Sequence, residues 1–391
     1  MCVEVRTMQR LITLWPVLFT SIVETVAVNV IVPQFVSTGL SNYKMEFRRA
    51  AILAALSNRS LCLTTMKHGK TGDVPVEAVQ IQELYDLEAL ARFVPLMTDH
   101  LQCQGGQKKI NCCFQTKCNK SNKNMIDLMD DYRHARVLVT SGCLFPNFPV
   151  SLQLLLWRSL RKSRETLLRV AQARTALFGP KSEYIAVHWR FEETKCKRHK
   201  LPLGLCMRTF PSLLSNSSRF VVVTPVQVAD AIIAAAKVKN YSVFLATDGR
   251  ARGYGRLVDE VKALALTKGN VTIKELLDAS ADPRLEDLKP LSSVAIMELE
   301  QGICASAALH IGSSQSTWDW EVYYAIALRA NNLRAFELAF HLENKILGLA
   351  NEPNAQHWER MYFAPPPNTP FMFLDHAAVL VKSDVILKSQ P

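Results

Sequence analysis

Short apolar runs alternate with longer stretches of helical periodicity along most of the 391-residue chain. "VNVIVPQFV" (28–36) is apolar and rich in β-branched residues, the mark of a buried strand, and "YKMEFRRAAILAAL" (43–56) places alanine and leucine at helical spacing. Pro33 has no N–H to offer a ladder, which predicts that the regular strand stops early. "RSLCLTT" (59–65) reads as the next strand, so the segment is a βαβ unit whose first loop is "STGLSN" (37–42). "GDVPVEAVQIQELYDLEALARFVPLM" (72–97) predicts a loop and a helix, and the stretch from Ser151 to Leu177, which contains "LLLWRSLRKSRETLLRVAQARTAL", one amphipathic helix with a solvated basic face.

Gly179-Pro180 punctuates the chain, and a second series follows. "YIAVHW" (184–189), "YSVFLATDG" (241–249), "NVTI" (270–273) and "LHI" (309–311) read as strands. The helices between and after them are "TPVQVADAIIAAAKVKN" (224–240), "GRLVDEVKALALTKG" (255–269), "SSVAIMELEQGICASAAL" (292–309) and a last one starting near Trp318. Strands alternating with helices predict parallel sheets with right-handed crossovers. The fold class is therefore α/β, with two Rossmann-like units facing a cleft. The divisions fall at 1–27 (a leader or anchor), 28–180, 181–345 and a tail, 346–391, whose "APPPNTP" (364–370) reads as extended linker.

Charge adds a partner class to this picture. Lys and Arg outnumber Asp and Glu by 11, which favours an anionic ligand. No RNA- or DNA-reading motif is present, so a nucleotide-type small molecule ranks ahead of nucleic acid. The stretch 103–124 holds five lysines, four cysteines and no acid. Its cysteine spacing fits no standard zinc pattern, so it reads as a surface insertion tied by disulfides. Ten cysteines without a CxxC pair and five Asn-x-Ser/Thr sequons, at Asn58, Asn119, Asn216, Asn240 and Asn270, lean toward an oxidising lumen, endoplasmic reticulum or Golgi. "LITLWPVLFTSIV" (11–23) follows Arg6 and Arg10 like a signal h-region and is short for a membrane span. The other reading of it is a buried first element of a cytosolic domain.

In parallel α/β sheets ligands bind beyond the carboxyl ends of the strands, and three loops lie there: 37–42, 188–193 and 312–318. His188, Arg190 and Glu192 alternate at a strand end and so share one face. A guanidinium there suits a diphosphate, holding it bidentately and neutralising charge as it leaves; an Arg–Glu pair closing the strand is the alternative. "GSSQSTW" (312–318) enters a helix, where backbone N–H groups and the dipole favour an anion, although Ser and Thr also serve there as plain caps. Asn42 is open to the same two readings, ligand contact or cap.

These residues carry a resemblance to the GDP-fucose protein O-fucosyltransferases and the related plant and protist O-fucosyltransferase-like proteins. "HWRFEE" is similar to that family's H-x-R-[RF]-x-[DE] motif, and "VAIMELEQGICASAALHIGSSQSTW" to its C-terminal block. "GLSNYKMEF…SNRSL" matches the N-terminal block, and "LYDLEAL" and "TPVQVADAI…VFLATDG" follow in the family's order. The resemblance implies a GT-B fold, with GDP-fucose in the cleft, the first unit on the acceptor side and the second on the donor side. It implies that Arg190 holds the β-phosphate and stabilises departing GDP, with His188 beside it. Glu300 falls where the family has an Asp recognising guanine, Ser316 and Thr317 where it binds phosphate, and Trp318 where it has Phe beside the nucleotide. Gly39 belongs to the glycine loop, and Asn42 would reach the sugar or acceptor hydroxyl. No metal is implied. Glu46, one turn beyond Asn42, is a candidate general base, with a solvated helix Glu as the plainer reading. The expected activity is fucosyl transfer to a Ser/Thr hydroxyl of a protein, or to a glycan hydroxyl; a non-catalytic nucleotide-sugar-binding protein and a different nucleotide-sugar donor are the alternatives. Cys196 and Cys206 would clamp the loop after Arg190 or remain free thiols.

Overall fold

This computed structural model describes residues 29–34, 40–68, 77–99, 103–104, 107–111, 134–141, 149–191, 205–208, 220–237, 241–280, 293–313, 316–346 and 368–374. The segment 11–23, Gly39, Glu192 and Cys196 lie outside the described residues.

The first apolar run forms β1 (Val30–Gln34), and the alanine- and leucine-rich stretch forms α1 (Leu40–Leu56), with β2 (Ser60–Cys62) after it. β3 (Met66–His68) and β4 (Glu77–Val79) make an antiparallel ribbon. The single helix expected in 72–97 is instead two short ones, α2 (Ile81–Leu84) and α3 (Leu87–Ala91). They are separated where Asp86 turns to cap α3, accepting from the N–H groups of Glu88 and Ala89. β5 (Leu96–Met97), β6 (Gln107–Asn111) and β7 (Val137–Ser141) complete a parallel sheet in the order β5-β2-β1-β7-β6.

Pro33 does not end β1, contrary to the expectation from its missing N–H. The strand pairs with β7 through Pro33 to Gln34, whereas its ladder with β2 runs only over Val30 and Ile31. The Pro33 carbonyl turns to the β2 side, where the Thr64 hydroxyl donates to it. The absent donor thus falls where the ladder has already ended.

α4 (Val150–Ser159) and α5 (Arg164–Phe178) replace the single basic helix expected from Ser151 to Leu177. The break is tertiary in origin: the chain at 161–163 pairs with the chain at 84–86, through Asp86 N–H to the Arg161 carbonyl and Ser163 N–H to the Leu84 carbonyl. Ser163 then caps α5, its Oγ accepting from Thr166 N–H.

The second sheet begins with β8 (Tyr184–Trp189), which is followed in the chain by a short antiparallel ribbon of β9 (Leu205–Arg208) and β10 (Phe220–Val223). Its chain order is α6 (Pro225–Lys237), β11 (Ser242–Thr247), α7 (Gly255–Gly269), β12 (Ile273–Lys274), α8 (Leu276–Ser280), α9 (Ser293–Ser306) and β13 (Leu309–Gly312). Then come α10 (Thr317–Arg329), α11 (Leu333–Ile346) and β14 (Phe371–Phe373). The strands are parallel in the order β12-β11-β8-β13-β14. β14 comes from the tail and covers the outer edge of β13, an edge that would otherwise present unpaired N–H and C=O groups.

Alternation along β8 sorts the two cores. Ile185, Val187 and Trp189 face α6 and α7, while Tyr184 and Ala186 face α5, α9 and α10. α5 precedes Pro180 yet packs on this second sheet, through Val170, Ala173 and Leu177. The packing therefore crosses the division drawn at that proline.

α1 of the first unit docks on α9, α10 and α11 of the second through buried charge. Lys44 pairs with Glu298, which also meets Lys162 at 2.5 Å, and Lys44 donates to Gln301 at 2.8 Å. Burial alone would raise the Glu298 carboxyl; Lys162 and Lys44 together bring it down to about 2. One turn along α1, Arg48 pairs with Glu321, approaches Glu343 at 3.9 Å and lies 4.5 Å over the Trp157 ring. Cys62 at the end of β2 is disulfide-bonded to Cys103, so the cysteine-rich insertion is tied at its start to the carboxyl end of a strand inside the sheet. Among the described residues no helix is long and apolar enough to cross a membrane.

Removing one partner of a buried pair leaves an unpaired buried charge. Arg48→Met should lower unfolding free energy by roughly 3–5 kcal/mol, and adding Glu321→Gln should return part of that loss. Chemical denaturation of the single and double variants reads both numbers.

Candidate functional site

A parallel sheet of this order has a topological switch point, and in the second sheet it lies between β8 and β13. From β8 the chain moves outward through β11 and β12, then returns to the other side at β13. The chain leaves β8 through Arg190 and Phe191 and leaves β13 through Ser313, at the two strand ends that flank the switch point.

The register pairs His310 with Ala186 and so places His310 on the same sheet face as Ala186 and His188. α10 crosses over that face and brings Asp319 between the two imidazoles. His188 Nδ1 is 2.8 Å from Asp319 Oδ2, His310 Nε2 is 2.9 Å from Asp319 Oδ1, and the Ser313 N–H donates to Oδ2 at 2.9 Å. Burial would raise the Asp319 carboxyl, but the His188 charge and the hydrogen bonds from both histidines hold it at about 2. Burial depresses His310 below the ordinary imidazole range, against the pull of Asp319. Gly312 is required here, because a Cβ at that position would run into Asp319 Oδ1. Trp318 is buried and stacks on His188, with ring centroids 4.0 Å apart.

Arg190 stands one residue past the end of β8, partly buried. Its backbone is held on both sides by the end of β11: Thr247 Oγ1 donates to the Trp189 carbonyl at 2.7 Å, and the Phe191 N–H donates to Asp248 Oδ1 at 2.9 Å. Phe191 turns to the opposite core and packs so tightly on Gly249 that a Cβ there would overlap its ring. Those two hydrogen bonds and that buried ring fix where the guanidinium leaves the sheet.

Ser316 opens α10, and its Oγ does not cap the helix. The hydroxyl is buried and has no partner among the described residues, while the Asp319 N–H turns back to the Ser316 carbonyl. A buried hydroxyl beside the N–H groups of a helix start is a donor set for an anion. Thr317 follows it, partly buried. The ordinary-cap reading of Ser316 is thereby set aside by the geometry.

Glu300, on α9, is partly buried and couples electrostatically to His188, Glu275 and Asp248, which places it over the carboxyl ends of β8, β11 and β12. Burial first, then Glu275 and Asp248, push its carboxyl from the ordinary 4.5 to about 7, against the opposing His188. Asn42 and Glu46 belong to the first sheet's end of the cleft. Asn42 lies within the first turn of α1, which starts at Leu40, so it is not the residue that caps that helix. Glu46 is buried, not solvated as its helical position suggested. Asp319, His310, Thr247 and Asp248 were not singled out from the sequence. The only signal for Asp319 is its place three residues into a helix after a serine-rich turn. Among the described residues no group of three or more His, Cys, Asp or Glu is arranged to hold a metal ion.

No family model matches the chain, and no curated protein sequence matches it. Solved structures do. POFUT1 in complex with GDP-fucose overlays with a TM-score of 0.54 at 14% identity, covering 78% of this chain and 95% of that one. POFUT1 in complex with GDP gives 0.53 at 14% identity, covering 78% and 97%. The fucosyltransferase NodZ from Bradyrhizobium gives 0.45 at 16%, covering 76% and 94%. The two facing parallel α/β units of this chain are thus a GT-B fold.

Glu300 makes a stability prediction of definite sign. An unfolded carboxyl loses its proton near pH 4.5, whereas the folded one keeps it to about 7, so native stability falls as pH rises through that window. Glu300→Gln, which cannot ionise, should be more stable than the parent by roughly 2–3 kcal/mol at about pH 8 and nearly equal to it below about pH 4.5. Denaturant melts at the two pH values measure the difference.

Proposed function

We propose that this protein is a glycosyltransferase that moves fucose from GDP-fucose to a Ser/Thr hydroxyl of a protein or to a glycan hydroxyl. One observation carries the reading. The switch point of the second sheet is flanked by two strand ends: His188 closes β8 with Arg190 just beyond it, and past β13 stands the start of α10 with the Ser316 hydroxyl, which has no partner among the described residues. That is a donor set for a diphosphate, and a GT-B fold shared with GDP-fucose complexes supports a sugar nucleotide as the molecule that brings it.

In this reading Ser316, Thr317 and the first N–H groups of α10 hold the diphosphate, and His188, backed by Trp318, contacts it. The acceptor oxygen forms its bond to the fucosyl carbon as the bond from that carbon to the β-phosphate oxygen breaks. Negative charge grows on the leaving GDP, and Arg190 neutralises it from a backbone position that Thr247 and Asp248 fix. These positive groups supply the stabilisation for which other transferases use a divalent ion, so no metal is needed. Glu300 accepts from the guanine edge, Asn42 and the Gly39 loop reach the sugar or acceptor, and Glu46, four residues along α1 from Asn42, is the candidate for removing the acceptor proton.

Arg190→Ala should keep the fold, as judged by an unchanged melt, and lower GDP release from GDP-fucose by at least about 10²–10³-fold. Unchanged turnover would refute the assignment. A panel of GDP-fucose, GDP-mannose and UDP-sugars tests the donor. Tight GDP binding with no release from any of them identifies a non-catalytic binding protein instead.

The compartment we propose is the secretory lumen, endoplasmic reticulum or Golgi. The Cys62–Cys103 disulfide supports it, as do the exposed sequon residues Asn58 and Asn270, each in the left-handed conformation just after a helix. Expressed in a secretory host, the protein should lose mass on endoglycosidase treatment, with Asn58→Gln and Asn270→Gln each removing one step of the shift.

A further inference from the structure

The hydrogen bonds around Asp319 constrain the protons of His188. Asp319 is fully buried and receives three N–H groups, from His188, His310 and Ser313. An ionised carboxylate only accepts, so His188 Nδ1 must carry a hydrogen. Neutral His188 is then left with a lone pair on Nε2, at the ring edge away from Asp319. A phosphate oxygen also offers lone pairs. The two repel unless a second proton sits on Nε2.

We propose that Asp319 is a positioning residue that fixes the Nδ1–H form of His188, so that His188 engages a diphosphate only as the imidazolium and nucleotide binding takes up one proton. The proton comes from solvent, forms the Nε2–H bond that points at the phosphate, and returns to solvent when the nucleotide leaves. No other bond changes. The inference rests on the nucleotide reading of the site given above.

Among the described residues, Asp319 from α10, His310 from β13 and Glu300 from α9 act on His188, the Trp318 ring stacks on its face, and Arg190 stands two residues beyond it at the same strand end. Asp319 is anionic, and Glu300 becomes so above about pH 7. His310, kept neutral by burial, gives its Nε2–H to Asp319 and does not compete as a cation. Two of these groups are carboxyls, Asp319 and Glu300, and in the nucleotide reading the Arg190 cation is met by the diphosphate itself. Asn at position 319 has one acceptor oxygen and an NH₂, so it cannot accept from all three donors.

Nitrogen-15 NMR of the full chain labelled at histidine, with the His188 signals assigned by their loss in His188→Gln, reads the ring directly. At about pH 8, above the ordinary imidazole range, ligand-free His188 should show a protonated Nδ1 and a bare Nε2. Saturating GDP should convert both nitrogens to the protonated form. In Asp319→Asn the ligand-free ring should lose its Nδ1–H preference and the GDP Kd should rise about tenfold or more. The ligand-free parent spectrum needs no variant at position 319 to fold. A ligand-free ring protonated at Nε2, or GDP saturating the site while His188 stays neutral, overturns the inference and leaves the nucleotide reading intact. Failure of GDP to bind at all overturns the nucleotide reading and the proton linkage with it.

Discussion

A single buried carboxylate organises the carboxyl end of the second sheet. An ion in a protein interior is tolerated only where its lone pairs are met, and Asp319 meets them with donors from three places: β8, β13 and the turn into α10. Satisfying that one group sets the spacing of the two strand ends and the entry angle of the helix. Gly312 is part of the same arrangement, since any side chain there would displace the carboxylate. The imidazole of His188, the Trp318 ring that backs it and the Ser316 hydroxyl inherit their positions from this arrangement.

The other side of the cleft is held by the same kind of chemistry in a less forgiving form. α1 carries Lys44 and Arg48 on the face that meets α9, α10 and α11, and each cation is buried against carboxylates. Full desolvation makes such pairs weak sources of net stability, but their geometry is exacting, because a misaligned pair leaves a bare charge. They therefore fix how α1, with Asn42 and Glu46, stands relative to the second sheet. Gln301 continues the connection, accepting from Lys44 and donating to the Trp318 carbonyl at 3.3 Å. A continuous set of buried polar contacts thus runs from the first unit to the start of α10.

Fold and function stand on different grounds here. The GT-B architecture follows from two parallel sheets and their overlay on solved structures. The same architecture serves many chemistries, so the activity has to be argued from side chains at the switch point. What distinguishes this site is a concentration of N–H and cationic donors at the end of the second sheet, with a carboxyl poised near neutrality over the neighbouring strand ends. A sugar nucleotide, anionic in the middle and hydrogen-bonding at both ends, matches that distribution.

Much of the fold was legible in the residues alone, because strand and helix periodicities are local properties. β8 and α7 coincide with their apolar runs to the residue, and His188 and Arg190 stood out because charge seldom ends a buried strand. The sequence could not show where α4 and α5 part, why Pro33 stays within β1 or that residues 371–373 form a strand. Each depends on a partner far along the chain: the segment at 84–86, the short β2 ladder and the open edge of β13. Asp319 and the burial of Glu46 belong to the same class. By itself the sequence determined which elements form and which chemical groups stand at their ends; only the tertiary structure decided which of those groups meet, because burial and hydrogen-bond satisfaction arise between segments and leave no periodicity within any one of them.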